Sequence, residues 1–295
     1  MKHVKEIIAE AIFLISALAS IFAVAMICFF LFANGLPAIF KIGPLKFLTG
    51  TIWKPGNDIY GIFPMILGSI YVTAGAILIG VPIGILTAIY LSRFCPRGIY
   101  HVIKPAIDLL AGIPSVVYGF FGMVVIVPAM DKIEPAVMEF FHISGKCSGK
   151  SIATASILLG IMILPTIMRT TEEALKAVPD SYREGSFGLG AGRLRTVFQV
   201  VLPSAVPGIL AGIILAVGRI VGETAALMYT AGTVAGIPSN LFGSGRTLAV
   251  HMYVLTNEGL YTNQSYATAV VLLVIVVCIN AVSGFIAKKV SGKAA

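Results

Sequence analysis

Pro179-Asp-Ser-Tyr-Arg-Glu184-Gly185-Ser186-Phe-Gly-Leu-Gly190-Ala-Gly-Arg-Leu-Arg-Thr-Val-Phe-Gln-Val200-Val-Leu202-Pro203 is a polar segment set between two apolar runs. Pro179 suits the first turn of a helix, where a missing N–H costs nothing, and Gly190 and Gly192 suit a helix end and a change of direction. The spacing predicts two short helices joined by a turn. On the first, Tyr182, Ser186 and Leu189 fall at i, i+4 and i+7; on the second, Leu194, Val197, Phe198 and Val201 share one face. Arg183, Glu184, Arg193 and Arg195 sit off those faces. Gly185 and Ser186 lack bulk, so another surface can approach the backbone closely. Such a hairpin is a knob for the groove of a soluble partner; the competing reading is an amphipathic loop lying on lipid headgroups.

The rest of the chain is apolar. With 58% hydrophobic and 12% charged residues among 295, and a mean hydropathy of +0.97, it exceeds what a soluble domain of that length carries. Crossing a bilayer takes about 20 apolar residues. Stretches of about that length run near Ile7–Phe32, Phe63–Leu91, Ile107–Pro128, Ile152–Met168, Val206–Thr230 and Tyr266–Ala287, which predicts an all-α polytopic protein with six transmembrane helices. The fourth is the shortest and contains Pro165. The first is longer than a signal-peptide apolar region and lacks a small-x-small cleavage site, so it reads as a retained anchor.

Basic residues orient the helices. With the amino terminus inside, the inner segments hold thirteen Lys and Arg and the outer ones seven, Arg219 being left within a helix. Both termini and the Glu184 hairpin then lie in the cytoplasm. Topology accounts for the net charge of +8, and the absence of a long basic run or basic-aromatic stripe argues against nucleic acid as a partner. The four cysteines form neither a disulfide framework nor a zinc spacing, with Cys147 placed outside. Ser144-Gly-Lys-Cys-Ser-Gly149-Lys150-Ser151 mimics a phosphate loop but has Ser144 where the first glycine belongs and no preceding strand. Gly188-x-Gly190-x-Gly192 lacks the spacing of a dinucleotide fingerprint. The four scattered histidines give no HExxH, and no GxSxG occurs. No catalytic constellation is expected.

Arg219 and Glu223 interrupt the fifth apolar stretch at i, i+4, which puts them on one face of a continuous helix as a pair. Twelve residues from Pro207 place Arg219 roughly 18 Å into the membrane, where a charge costs about 2.5–3.5 kcal/mol. A residue held there at that cost faces a cavity or a partner, and arginine presents a planar fork of donors to oxyanions. The hypothesis is that Arg219 attracts a passing anion while Glu223 limits how tightly it binds; the alternative is that the two join helices. Gly208-x-x-x-Gly212 and Gly218-x-x-x-Gly222 are small-residue seams for close helix packing, within this chain or with a second subunit. Gly80-Val-Pro82-Ile-Gly84 and Gly112-Ile-Pro114-Ser115 predict kinks. Asp108 is expected at the cytoplasmic interface in a structural role.

Glu184 with two small residues after it, Gly190 six positions on, and Val200-Val201-Leu202-Pro203 resemble the spaced signature of ABC-importer coupling loops. Phe47-Leu-Thr-Gly-Thr-Ile-Trp53, Gly61-Ile-Phe-Pro64, Leu110-Ala-Gly-Ile-Pro-Ser-Val-Val-Tyr-Gly119, Gly218-Arg-x-x-Gly-Glu-Thr224 and Arg246-Thr-Leu248 extend the likeness nearly end to end. The chain resembles the permeases of bacterial and archaeal phosphate ABC importers. The third and fourth of those segments are common to the PstC and PstA types, while the Trp53 region is similar to PstC. One departure is Gly185-Ser186 where the family reads Ala-Ala.

The resemblance implies a type I importer permease fold with cytoplasmic coupling helices between the fourth and fifth spans. It divides the chain into an N-terminal helix and outer segment, 1–62, and a permease domain, 63–290, with the coupling loop at 178–203. It implies a multi-pass subunit of the cytoplasmic membrane, assembled with a second, PstA-like permease, two copies of a cytoplasmic ATPase and an extracytoplasmic phosphate-binding protein. Arg219 and Glu223 are then the substrate-translocation residues, and Glu184, Gly185, Ser186, Gly190, Leu202 and Pro203 the ATPase-coupling residues. ATP and magnesium are used by the ATPase, no cofactor is bound by this chain, and inorganic phosphate is the substrate. A PstA-like role, or a permease for molybdate or sulfate, is the alternative.

Overall fold

The structure, a computed structural model, describes residues 2–145, 149–238 and 240–291; Lys146, Cys147 and Lys293 fall outside them. In chain order, α1 (Lys2–Ile42) and α2 (Pro44–Thr49) lead into an antiparallel hairpin of β1 (Trp53–Lys54) and β2 (Ile59–Tyr60). There follow α3 (Phe63–Ile89), α4 (Arg97–Gly112), α5 (Ser115–Phe121), α6 (Val127–Phe140), α7 (Ile152–Lys176), α8 (Asp180–Gly188), α9 (Arg193–Thr196), α10 (Leu202–Val221), α11 (Ala225–Thr230), α12 (Leu248–Glu258) and α13 (Thr262–Ser291). Among the described residues six helical stretches are long and apolar enough to span a membrane: Lys5–Ile42, Phe63–Phe94, Ser115–Phe140, Ile152–Lys176, Arg193–Val221 and Thr262–Phe285. Helices satisfy their own backbone polar groups, which lipid does not.

The centre of the bundle is α3 against α7. Their backbones approach because glycines face them: a Cβ on Gly80 would meet Gly160 O at 2.8 Å, and one on Gly84 would meet Ile167 Cβ at 2.9 Å. Val72, Ala76, Leu158, Leu159, Met162, Ile163 and Ile167 are fully buried there. The Gly80–Pro82–Gly84 run therefore serves packing, and α3 runs through it without a break. Helix α1 is different. Its apolar N-terminal part is exposed among the described residues, and its C-terminal part, including Ala38 and Ile39, docks on Val270 and Val271 of α13.

Several expected boundaries move: the first span continues past Phe32 to Ile42 and the third past Pro128 to Phe140. The third span does not start at Ile107: the chain breaks at Ile113–Pro114, so Ile107 and Asp108 belong to the separate α4 and the span begins at Ser115. Proline removes a donor and disfavours a helical residue before it, and here it breaks the helix completely. The fourth span continues past Met168 to Lys176. The fifth does not run from Val206 to Thr230. It starts at Arg193 and stops at Val221.

Three π-turns share one cause. Cys95 N–H reaches back to Tyr90 O, Val127 to Gly122 O and Leu202 to Val197 O. Each donor immediately precedes a proline, Pro96, Pro128 or Pro203. The proline ring crowds the carbonyl four residues back and offers it no N–H, so the turn before it widens.

In the part of the Ser144–Ser151 segment that is described, Gly149 and Ser151 are engaged by a carboxylate. Gly149 N–H and Ser151 Oγ donate to the buried Glu134 carboxylate at 3.1 and 2.5 Å. Nearby, β1 sets Trp53 edge-on to His251 of α12, with ring centroids 4.3 Å apart. Arg246 Nη1 lies 3.2 Å from His251 Nδ1. An arginine only donates, so Nδ1 is the acceptor and the ring is neutral with its proton on Nε2. Burial first, and then Arg246, push this imidazole down to about 3. An unfolded histidine titrates near 6.5. Between those values the unfolded chain binds the extra proton, so His251 stabilises the fold above pH 6.5, and that contribution is lost as pH falls towards 3. Thermal unfolding in detergent at pH 7.5, 6 and 5 is expected to show a falling midpoint, and His251→Gln to flatten the difference; equal slopes in both proteins would refute this.

Candidate functional site

The first functional region is the break between α10 and α11. Helix α10 ends at Val221, with Gly222 as its C-cap and Arg219 in its last turn, where the negative end of the helix dipole favours a cation. Glu223 lies outside the helix. Its Oε1 accepts from Thr224 N at 3.2 Å and Ala226 N at 3.1 Å, so it caps α11. The expected i, i+4 pair is therefore not formed. Glu223 is buried and spent on backbone, while Arg219 is exposed and has no hydrogen bond or ion pair among the described residues.

The surroundings of Arg219 come from α5. Tyr118 lies within electrostatic reach of Arg219, and its hydroxyl donates to Leu110 O at 2.9 Å. Gly119 lets α5 approach α11: a Cβ there would lie 2.9 Å from Ala226 Cα. The two glycine seams of α10 differ. Gly208 and Gly212 press on Ala174 and Thr170 of α7, whereas nothing lies within 4 Å of a Cβ on Gly218, and only the helix's own Gly218 O lies within 4 Å of one on Gly222. One seam is used inside the chain; the other, beside Arg219, is uncovered.

Glu223→Ala is expected to cost about 1 kcal/mol through loss of the cap, and to lower the thermal midpoint in detergent. Glu223→Gln keeps an acceptor oxygen and is expected to stay near wild type. Equal losses in both variants would remove the capping role.

The second region is the hairpin of α8 and α9. Pro179 precedes α8 as its N-cap, and Asp180 occupies the first turn. At the other end Gly190 adopts φ +80°, with Gly190 N–H on Phe187 O and Ala191 N–H on Ser186 O, the paired bonds of a Schellman closure. Ser186 Oγ and Thr196 Oγ1 are 2.9 Å apart, so Ser186 clamps the two helices together; it is not simply a gap for a partner. Gly185 has open space where a Cβ would go. Val197 and Val201 pack inward against Leu175 and Val178, while Tyr182, Leu189, Leu194 and Phe198 stay exposed, Leu189 at 91%. The second helix is not free-standing: α9 passes through the Val197–Val201 π-turn straight into α10, so Leu202 and Pro203 lie inside the fifth span's helix.

A third cluster escaped the sequence reading. Glu172 of α7, with a side chain 6% exposed, accepts from Tyr100 Oη at 2.7 Å, Lys104 Nζ at 2.9 Å and Lys176 Nζ at 2.7 Å. Asp108 lies 3.7 Å from Lys104. The only local signals were the i, i+4 pairs 100/104, 104/108 and 172/176; nothing local joins α4 to α7.

Residues 80–292 match the family model described as "binding-protein-dependent transport system inner membrane component". The chain belongs to that family. The matched region contains the hairpin, Arg219 and Glu223. Among relatives of this inner membrane component, the chain is 33% identical to "Phosphate transport system permease protein PstC" of Mesorhizobium japonicum, over 89% of this chain and 84% of that protein. It is 33% identical to "Probable phosphate transport system permease protein PstC" of Methanocaldococcus jannaschii, over 94% and 93%. It is 35% identical to "Probable ABC transporter permease protein YqgH" of Bacillus subtilis, over 92% and 88%. Its fold is shared with a subunit of a bacterial alginate ABC transporter, with TM-score 0.64, 13% identity, and 93% and 95% of the two chains covered. The MetNI methionine ABC transporter in an inward-facing conformation gives 0.58, 20%, 81% and 99%.

Proposed function

We propose that this chain is one of two transmembrane subunits of an ATP-driven importer of inorganic phosphate, the PstC-type one. The observation that carries the proposal is Arg219: a guanidinium without a hydrogen bond or ion pair among the described residues, at a broken membrane helix, beside an uncovered glycine seam. Irregular backbone within a membrane region is tolerated where it lines a cavity or is covered by protein. A second, PstA-like permease lying on the Gly218–Gly222 face supplies that cover and completes a path into which Arg219 points its donors. Relatives named as phosphate permeases in a bacterium and an archaeon support phosphate as the anion.

The α8–α9 hairpin, exposed and apolar at its tip, docks on a cytoplasmic ATPase that is present in two copies in the complex, with Glu184, Gly185, Ser186 and Gly190 in the contact and Leu202–Pro203 carrying its motion into the fifth span. ATP and magnesium act in the ATPase, and this chain takes no cofactor and performs no catalysis. Both termini face the cytoplasm, and a soluble phosphate-binding protein delivers substrate on the outer side. ATP-driven closure of the ATPases moves the hairpin, rocks the helices and exposes Arg219 outward.

The test is labelled phosphate uptake under phosphate limitation in cells with and without the gene, with excess sulfate, molybdate or arsenate as competitor. Loss of uptake on deletion, with wild-type uptake insensitive to sulfate and molybdate, is expected. Unchanged phosphate uptake with loss of sulfate or molybdate uptake would overturn phosphate as the substrate.

A further inference from the structure

We infer that Glu172 is a positioning residue that transmits hairpin movement to the helix beside Arg219, through Tyr100 and Lys104 of α4. The inference rests on the importer reading above.

The starting point is where Glu172 sits. It lies one turn before the end of α7, and Val178 links that end to α8. Arg93 donates to Leu175 O and Val178 packs on Val197 and Val201, so the end of α7 moves with the hairpin. Glu172 also holds α4, through one neutral and one charged donor, and a carboxylate 6% exposed with three donors has little freedom to exchange them for water. The apolar grip on α4 is small. Ile107 is its only fully buried residue, resting with Tyr100 and Ile103 on Met168 and Leu164, while Val102 and Leu109 are each 73% exposed. An amphipathic helix held this lightly follows its polar clamp.

Beyond α4 the contacts continue to the path. Tyr118 of α5 is hydrogen-bonded to Leu110 O, across the break at Ile113–Pro114. Gly119 in turn seats on Ala226, whose N–H is held by Glu223. A tilt of α4 is thus passed to the segment that faces Arg219.

The full complex, in liposomes with its binding protein, is assayed for ATP hydrolysed per phosphate imported, normalised to assembled complex. Glu172→Gln keeps the shape and removes the charge that attracts Lys104 and Lys176. The expected result is a rise of about threefold to tenfold in that ratio, with Lys104→Met shifting it in the same direction and adding little in the Glu172→Gln background. Tyr100→Phe, which removes a single hydroxyl, carries the test if Glu172→Gln does not assemble. A purely structural role would lower the unfolding temperature and the yield but leave the ratio at the wild-type value, and that result overturns the inference. A wild-type complex that imports no phosphate would instead overturn the importer reading.

Discussion

Replacing Arg219 by glutamine is expected to reduce phosphate import by about 100-fold, because a two-pronged, charge-assisted contact contributes about 1.5–3 kcal/mol per hydrogen bond. Stability should not fall with it. Arg219 is exposed and makes no ion pair or hydrogen bond with the described residues, so its removal leaves no orphaned partner in the chain. Arg219→Lys keeps the charge and loses the planar fork, and an intermediate loss of about tenfold is expected. The measurement is ATP-driven uptake in liposomes carrying the whole complex, with assembly checked by size-exclusion chromatography. Wild-type import by Arg219→Gln would show that the path does not use this side chain. Because Glu223 caps α11 and does not neutralise Arg219, Glu223→Gln should not mimic Arg219→Gln, contrary to what a mutually neutralising pair would do.

The second large effect is expected at the hairpin tip. Leu189→Asp should abolish recovery of the ATPase with the permease, and with it import. Burying a leucine side chain against a partner is worth about 1.5–3 kcal/mol, and the substituted carboxylate has to be desolvated as well, so affinity should drop by at least about 100-fold. The permease itself should not notice: Leu189 is 91% exposed and the Schellman closure at Gly190 uses backbone groups. Co-purification of the two proteins and the unfolding midpoint of the permease alone separate the outcomes. Retention of the ATPase would show that the tip does not lie in the contact. Ser186→Ala differs in kind, since it removes the link to Thr196 and loosens the hairpin from within.

Much of this molecule was legible locally. Six apolar runs, the two short helices and the turn at Gly190 follow from hydropathy and from the few residues that tolerate φ near +80°. The three π-turns are only half legible: each is closed by the residue before a proline, yet Pro37, Pro82, Pro105, Pro135, Pro165 and Pro207 sit inside α-helices without one. By contrast, the expected Val206–Thr230 helix failed because Gly222 is an ordinary residue in a membrane helix, and nothing in its neighbours says that the helix stops there. The Glu172 cluster was hidden for a related reason: Tyr100 and Lys104 are 72 and 68 residues away from it.

The sequence alone determined which segments enter lipid and where a polar hairpin leaves it, because transfer between water and hydrocarbon is a property of each segment. Tertiary structure decided which polar group answers which. Glu223 went to the backbone of α11, Arg219 was left open, one glycine seam was spent on α7 and the other was not. Hydrogen bonds and close helix contacts depend on distances of a few ångströms between elements far apart in the chain, and no local periodicity encodes those distances.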